Sequence, residues 1–148
     1  MSDTVQVISY KRRVEKATED AMKKAATMIG GAIEGHAKEL CPVDTGLLRN
    51  SITYALGGSE VNQPSYKSND KDKTGKQITA KEGEYSGTAE RDTDGQVTVY
   101  VGSNVQYAPY QELGAPSINL PAKPYLRPAF ENNENEIEQI IRLCFKDI

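Results

Sequence analysis

Cys41-Pro42-Val43-Asp44-Thr45-Gly46-Leu47-Leu48-Arg49-Asn50-Ser51-Ile52 is the stretch where the chain changes period. Apolar residues before it recur at helical spacing, and those after it alternate. Pro42 lacks the N–H that a helix interior uses and biases Cys41 away from helical angles. Asp44 has the side chain to bond its own backbone two or three residues on, as a turn or cap residue. Gly46 takes a positive φ at little cost. Leu47 and Leu48 then need burial, and Arg49 to Leu56 reads as a strand with Ile52, Tyr54 and Leu56 on one side. Gly57-Gly58 ends it.

Upstream, Tyr10 to Leu40 predicts one long helix. Val14, Ala17, Ala21, Ala25, Met28 and Ala32 form a stripe, widened by Met22, Ile29, Ile33 and Leu40. Charged residues between them supply i,i+4 pairs such as Glu19–Lys23 and Asp20–Lys24. Such a helix is roughly 45 Å long. Gly30-Gly31 interrupts it, and each glycine costs about 1 kcal/mol against alanine. The stripe stays in phase across the pair, which points to close packing rather than a bend. An Ala-rich stripe on so long a helix predicts a closely approaching partner, either the chain's own sheet or a neighbouring subunit. Met1 to Ser9 reads as a short strand or a loose arm.

Downstream, Ser59 to Gln96 is polar, with only Val61, Tyr66, Ile78 and Tyr85 to bury. A stretch of this length is expected to be a mobile, protease-sensitive insertion or an arm that orders against a partner. Lys76–Ala80 and Glu84–Thr88 are candidates for a hairpin within it. Val97 to Val101 alternates cleanly, with its valines on one face and Thr98 and Tyr100 on the other. Tyr107 to Gly114 reads as a short helix, with Pro109 in its first turn and Gly114 just past its end. The chain is then extended up to Pro128. A final helix, about Pro128 to Lys146, is expected to bury Ile137, Ile140, Ile141, Cys144 and Phe145, with acids near its start favoured by the helix dipole. The predicted class is α+β. A small, mainly antiparallel sheet holding Ser51–Leu56 and Val97–Val101 packs on the long N-terminal helix and the C-terminal helix, in one domain over 1–148.

Composition narrows the function. The chain has 148 residues and a net charge of −3, which argues against a dedicated nucleic-acid binder. Cys41 and Cys144 make neither a disulfide framework nor a zinc site; a single bridge between them stays open beside two buried free thiols. No signal-peptide run or membrane span is visible, so the expectation is a soluble, cytoplasmically made product. His36 is a core-edge residue on the long helix. No nucleophile elbow, phosphate-binding loop or Cys/His spacing appears, so no cofactor is expected. Asp44 and Glu112 are the acids next to strongly patterned structure. They define one alternative, a metal-dependent hydrolase. A turn role for Asp44 and pairing of Glu112 with Arg49 or Arg127 account for both without a metal. Lys67 to Lys81 defines a second alternative, a DNA-binding accessory protein.

Three stretches in order resemble the small neck or tail-completion proteins of long-tailed double-stranded DNA phages and prophages. Pro42, Asp44, Thr45, Gly46 and Ser51 fall on a "P-x-D-T-G-x-L-x-x-S-I" signature, with Leu47 at the variable position before its leucine, Leu48. Gly102, Tyr107, Glu112 and Gly114 fall on "V-G-x-x-x-x-Y-A-x-x-x-E-x-G". Pro124-Tyr125-Leu126-Arg127-Pro128-Ala129 is similar to "P-F-L-R-P-A", with Tyr125 where phenylalanine is commoner. The resemblance implies a non-enzymatic virion protein, made in the bacterial host and built into the neck as a ring of six or twelve copies. The implied partners are portal or head-completion proteins and tail-tube or tail-terminator proteins, with DNA only as passing cargo. Tyr107 and Tyr110 are the expected aromatic contacts.

Overall fold

The computed structural model describes residues 2–43, 46–61, 66–71, 74–80, 87–93, 95–103 and 105–148; the side chains of 2–11, 61, 66–70, 78, 80 and 87 lie outside the description. Helix α1 runs Ser2–Leu40, 39 residues, roughly 58 Å. It therefore begins well before Tyr10: the segment expected as a strand or loose arm is the first two turns of the same helix. Val5 and Val7 suggested alternation, but nothing after them breaks a helix until Pro42.

The long helix and a two-stranded antiparallel sheet make the frame. Strands β1 (Thr53–Leu56) and β6 (Val99–Gly102) pair with Thr53 opposite Gly102 and Leu56 opposite Val99. Val99 and Val101 are half-buried and Tyr100 is exposed, as the alternation predicted. The sheet lies on α1 at Gly30. A Cβ there would sit 2.5 Å from Tyr54 Cδ2 and 2.8 Å from Val99 Cγ2. Gly30 is thus a packing contact, and its close partner is the chain's own sheet; Gly31 is exposed, with only Tyr54 Cε1 within 4 Å of a Cβ built there.

Between α1 and β1 stands helix α2, Leu47–Ser51. This corrects the expected strand from Arg49: the strand starts only at Thr53. Gly46 sits at φ 83°, ψ −5°, the left-handed region. Its carbonyl accepts from Asn50 N (3.0 Å) and Asn50 Nδ2 (2.7 Å), which closes the short helix. Leu48 and Ile52 are driven into the core from opposite ends of this turn. Asp44 and Thr45 lie outside the described residues. Gly46→Val is expected to lower stability by about 1–3 kcal/mol, because a β-branched residue is forced to positive φ; a melting curve identical to the parent's would contradict this.

The polar insertion carries two further two-stranded ribbons. Strand β3 (Tyr66–Lys71) pairs antiparallel with β4 (Gln77–Ala80), and β2 (Glu60–Val61) with β5 (Gly87–Thr88). The expected Lys76–Ala80 strand exists, but its partner lies upstream. Gly87-Thr88 belongs to the other ribbon, and 81–86 lie outside the described residues. The turn at Gly75, with φ +85°, lets the chain reverse between β3 and β4.

The C-terminal part is two helices, α4 (Leu126–Glu131) and α5 (Glu134–Phe145), where one was expected. Asn133 Nδ2 donates to Ala129 O (2.9 Å) at the break, where an asparagine side chain competes for backbone partners. No residue of α5 is fully buried. Ile137 packs half-buried on the core, while Ile141 stays 43% exposed. His36 Nε2 lies 2.6 Å from Glu136 Oε2, which ties α5 to α1. Both cysteines are free thiols, with Cys144 Sγ 3.6 Å from Met28 Sδ, so the bridge is not formed. Burial pushes the Cys41 thiol up to about 11, which leaves it an inert core residue at neutral pH.

Candidate functional site

The core joins all three motif stretches at one place. Ile33, Ala37, Cys41, Leu48, Ile52, Val105, Ala108, Tyr125 and Ala129 form one buried cluster. Its contributors come from α1, the Cys41–Ile52 joint, the start of helix α3 (Ala108–Leu113) and α4. Motif residues far apart in sequence are therefore neighbours because each motif supplies an apolar anchor to the same cluster.

Ser51 is the polar member of this joint. It is buried, and its hydroxyl donates to Leu48 O at 2.6 Å. With that hydrogen committed, Ser103 Oγ, 2.5 Å away, donates to Ser51, and Ser103 in turn accepts from Val105 N at 3.1 Å. The first motif is thus hydrogen-bonded to the turn after Gly102. The sequence marked Ser51 by its place in a pattern; its partner across 52 residues carried no local signal.

Glu112 does for α4 what no adjacent residue does. Helix α4 has no side-chain cap of its own at Tyr125. Glu112 Oε2 accepts from Tyr125 N (2.7 Å) and Leu126 N (3.0 Å), and Oε1 accepts from Arg127 N (3.0 Å). The carboxylate thus satisfies the first orphan N–H groups of the helix and sits at the positive end of its dipole. Burial pushes this carboxyl up. The backbone N–H groups of Leu126, Tyr125 and Arg127, with the Arg127 guanidinium, pull it below the ordinary carboxylate value. The expected side-chain pairing with Arg49 or Arg127 is replaced by these backbone bonds, with Arg127 contributing its N–H and its charge.

A depressed folded-state pKa contributes stability above the unfolded value, and that contribution is lost as pH falls through the folded value. Glu112→Gln is therefore expected to cost about 1–3 kcal/mol at neutral pH. The gap to the parent should narrow as the pH drops below about 4.3. Melting curves across pH 3–8, on the order of single-unit steps, check this; a gap that is constant with pH would contradict it.

This geometry does not favour catalysis by Glu112, since both oxygens are taken by the backbone. Among the described residues no three His, Cys, Asp or Glu side chains are grouped to hold a metal ion. The Asp44 half of the hydrolase alternative lies outside the described residues. Of the Lys67–Lys81 alternative, Lys71 and Lys76 are exposed on the β3–β4 ribbon. No described helix is long and apolar enough to cross a membrane.

The outer face of α3 is where apolar surface meets solvent. Tyr107, Tyr110 and Leu113, spaced by three, point outward while Ala108 is buried. Tyr110 is 55% exposed and Leu113 69%, and Ile118 on the following 3-10 turn (Pro116–Ile118) is 70% exposed. Gly114 joins helix and turn with φ 76°, ψ 172°. Leu113 and Ile118 were not singled out in the sequence, although Leu113 lies inside the second motif. Gly102 ends β6 opposite Thr53, Pro42 is half-buried beside Cys41, Leu47 packs on the core, and Pro128 is half-buried inside α4. Tyr125 is fully buried, and its hydroxyl has no partner among the described residues. A phenylalanine would fill the same space without a polar atom to satisfy.

A family model described as "Bacteriophage HK97-gp10, putative tail-component" matches residues 6–114. The match takes in the first two motifs, Glu112 and Gly114, and stops before the third. No curated protein and no solved structure matches the chain.

Proposed function

Because the chain belongs to the HK97-gp10-like family of phage tail components, we propose that it acts in the neck of the virion, as a head–tail connector or tail-completion subunit that works by self-assembly and docking. The observation that carries this is the family match across residues 6–114. The copies form a ring of six or twelve between portal or head-completion proteins on one side and tail-tube or tail-terminator proteins on the other. The exposed Tyr107–Tyr110–Leu113 face supplies aromatic and apolar contact area of the kind that anchors protein interfaces. Glu112 and Gly114 shape the platform behind that face and hold it rigid. DNA passes as cargo, and a chain of net charge −3 offers it little phosphate affinity. The activity is structural, with no catalytic step and no cofactor. Deleting the gene from its phage or prophage should leave DNA-filled heads and separate tails, or tails of aberrant length. Normal infectious particles from the deletion would overturn this assignment.

A further inference from the structure

The molecule is electrostatically polar along α1. At one end, Arg12, Arg13 and Lys16 are exposed, against one acid, Glu15, and every residue from Arg12 to Ala17 faces solvent. Val14 among them is 56% exposed, and the first buried residue described on the helix is Ala21. Val14 and Glu15 line an open cleft with Leu56, Asp92, Thr93 and Val97, while Arg12, Arg13 and Lys16 stay exposed on this part of the helix. At the other end, Glu131, Glu134, Glu136 and Glu138 fall within eight residues that contain no base. The Glu136–His36 contact fixes that acidic corner beside the C-terminal part of α1. Glu131, Glu134 and Glu138 are exposed around it, Glu138 also meeting Arg142 at 2.5 Å. Phe130, 48% exposed, lies at the same corner.

Some twenty residues of continuous helix separate Arg12–Lys16 from His36, roughly 30 Å. The basic and acidic ends are thus held apart by a rigid rod and cannot meet within one chain. They are complementary in charge, and each carries an exposed apolar residue beside the charges. We propose that the basic Arg12–Lys16 segment of α1 in one copy docks on the acidic α4–α5 corner of a second copy. Such a contact is head-to-tail, and repetition of a head-to-tail contact closes a ring or extends a filament. The proposal rests on the self-assembly reading above and names the surfaces through which it occurs. Being built of exposed charges, the contact weakens with salt.

The test is a charge swap between copies, read by sedimentation of the full chain at low salt. Arg12→Glu with Arg13→Glu reverses one end, and Glu131→Lys with Glu134→Lys reverses the other. The parent should self-associate in a salt-sensitive way at concentrations up to about 1 mM. Each reversed variant alone should associate at least about tenfold more weakly, because like charges then face each other. An equimolar mixture of the two should recover association, since each reversed end meets its complement. Thermal melts check that both fold; if the acidic-end variant does not, Glu131→Gln with Glu138→Gln replaces it and should weaken association to a smaller degree. A parent that stays monomeric throughout, association indifferent to the reversals, or a mixture that fails to recover would each overturn the proposal. So would binding of Arg12 and Arg13 to duplex DNA in place of a second copy. These outcomes leave the virion assignment standing, whereas normal particles from the gene deletion remove that assignment itself.

Discussion

Gly30→Leu should be among the most damaging single substitutions in this protein, costing about 3 kcal/mol or more. The reason is geometric. A Cβ at this position would lie 2.5 Å from the Tyr54 ring and 2.8 Å from Val99. Tyr54 and Val99 are strand residues of the β1–β6 pair, so relief requires the helix and sheet to move apart. Overpacking a fitted contact costs roughly 1–3 kcal/mol, and separating α1 from the sheet adds lost burial. Gly35 is the internal control. Nothing lies within 4 Å of a Cβ built there, and the residue is exposed. Gly35→Ala should therefore stabilise α1 by up to about 1 kcal/mol, from helix propensity alone. Chemical denaturation of the two variants beside the parent decides the matter. Equal midpoints for parent and Gly30→Leu would mean that helix and sheet do not touch as described.

Gly114→Ala should cost roughly 2–4 kcal/mol, for two reasons that act together. The backbone at φ 76°, ψ 172° is a region essentially closed to residues with a Cβ. A Cβ would also lie 2.8 Å from Ala122 N and 3.0 Å from Leu120 O, which are backbone atoms with little freedom to yield. Around it, Ala115 and Leu120 exchange backbone hydrogen bonds, and Lys123 N donates to Gln111 O at 2.8 Å. These bonds bring the chain back so that Tyr125, Leu126 and Arg127 reach Glu112. Gly114 and Glu112 therefore belong to one device, the glycine folding the loop and the acid clasping the helix that follows. The two substitutions should be non-additive, Glu112→Gln costing less in the Gly114→Ala background than alone. Strict additivity in a double-mutant cycle would separate them.

The sequence made the frame legible where physics is local. Ala21 and Ala25 of the stripe, the break at Pro42, the positive φ at Gly46 and the Val99–Val101 part of the alternation expected from Val97 all follow from the residue's own chemistry or from its immediate neighbours. Val14, Ala17 and Met28 of the stripe are instead exposed, and the strand begins only at Val99. What stayed hidden depends on pairing at a distance. Residues 49–52 read as strand because Ile52, Tyr54 and Leu56 alternate. The short helix α2 wins there because Gly46 O captures both Asn50 donors and Leu48 must enter the core. The split between α4 and α5 was missed because the helical period runs on through Asn132-Asn133. The β3 partner of β4 carried no apolar pattern to announce it. For the candidate site, the motif residues were legible as a pattern, but the roles of Glu112 and Ser51 were not. Both act on backbone or hydroxyl groups that become neighbours only when the core closes. The exposed Leu113 and Ile118 gave no signal either, since exposure is a property of the folded surface.

The chain belongs to a family of phage tail components, and its proposed place is the head–tail junction. Purified infectious particles, imaged by electron microscopy with the protein carrying a density label, test that claim directly. The label should appear as a discrete ring where head meets tail, in a fixed copy number per particle. Label spread over the capsid, or particles that contain none of the protein, would contradict it.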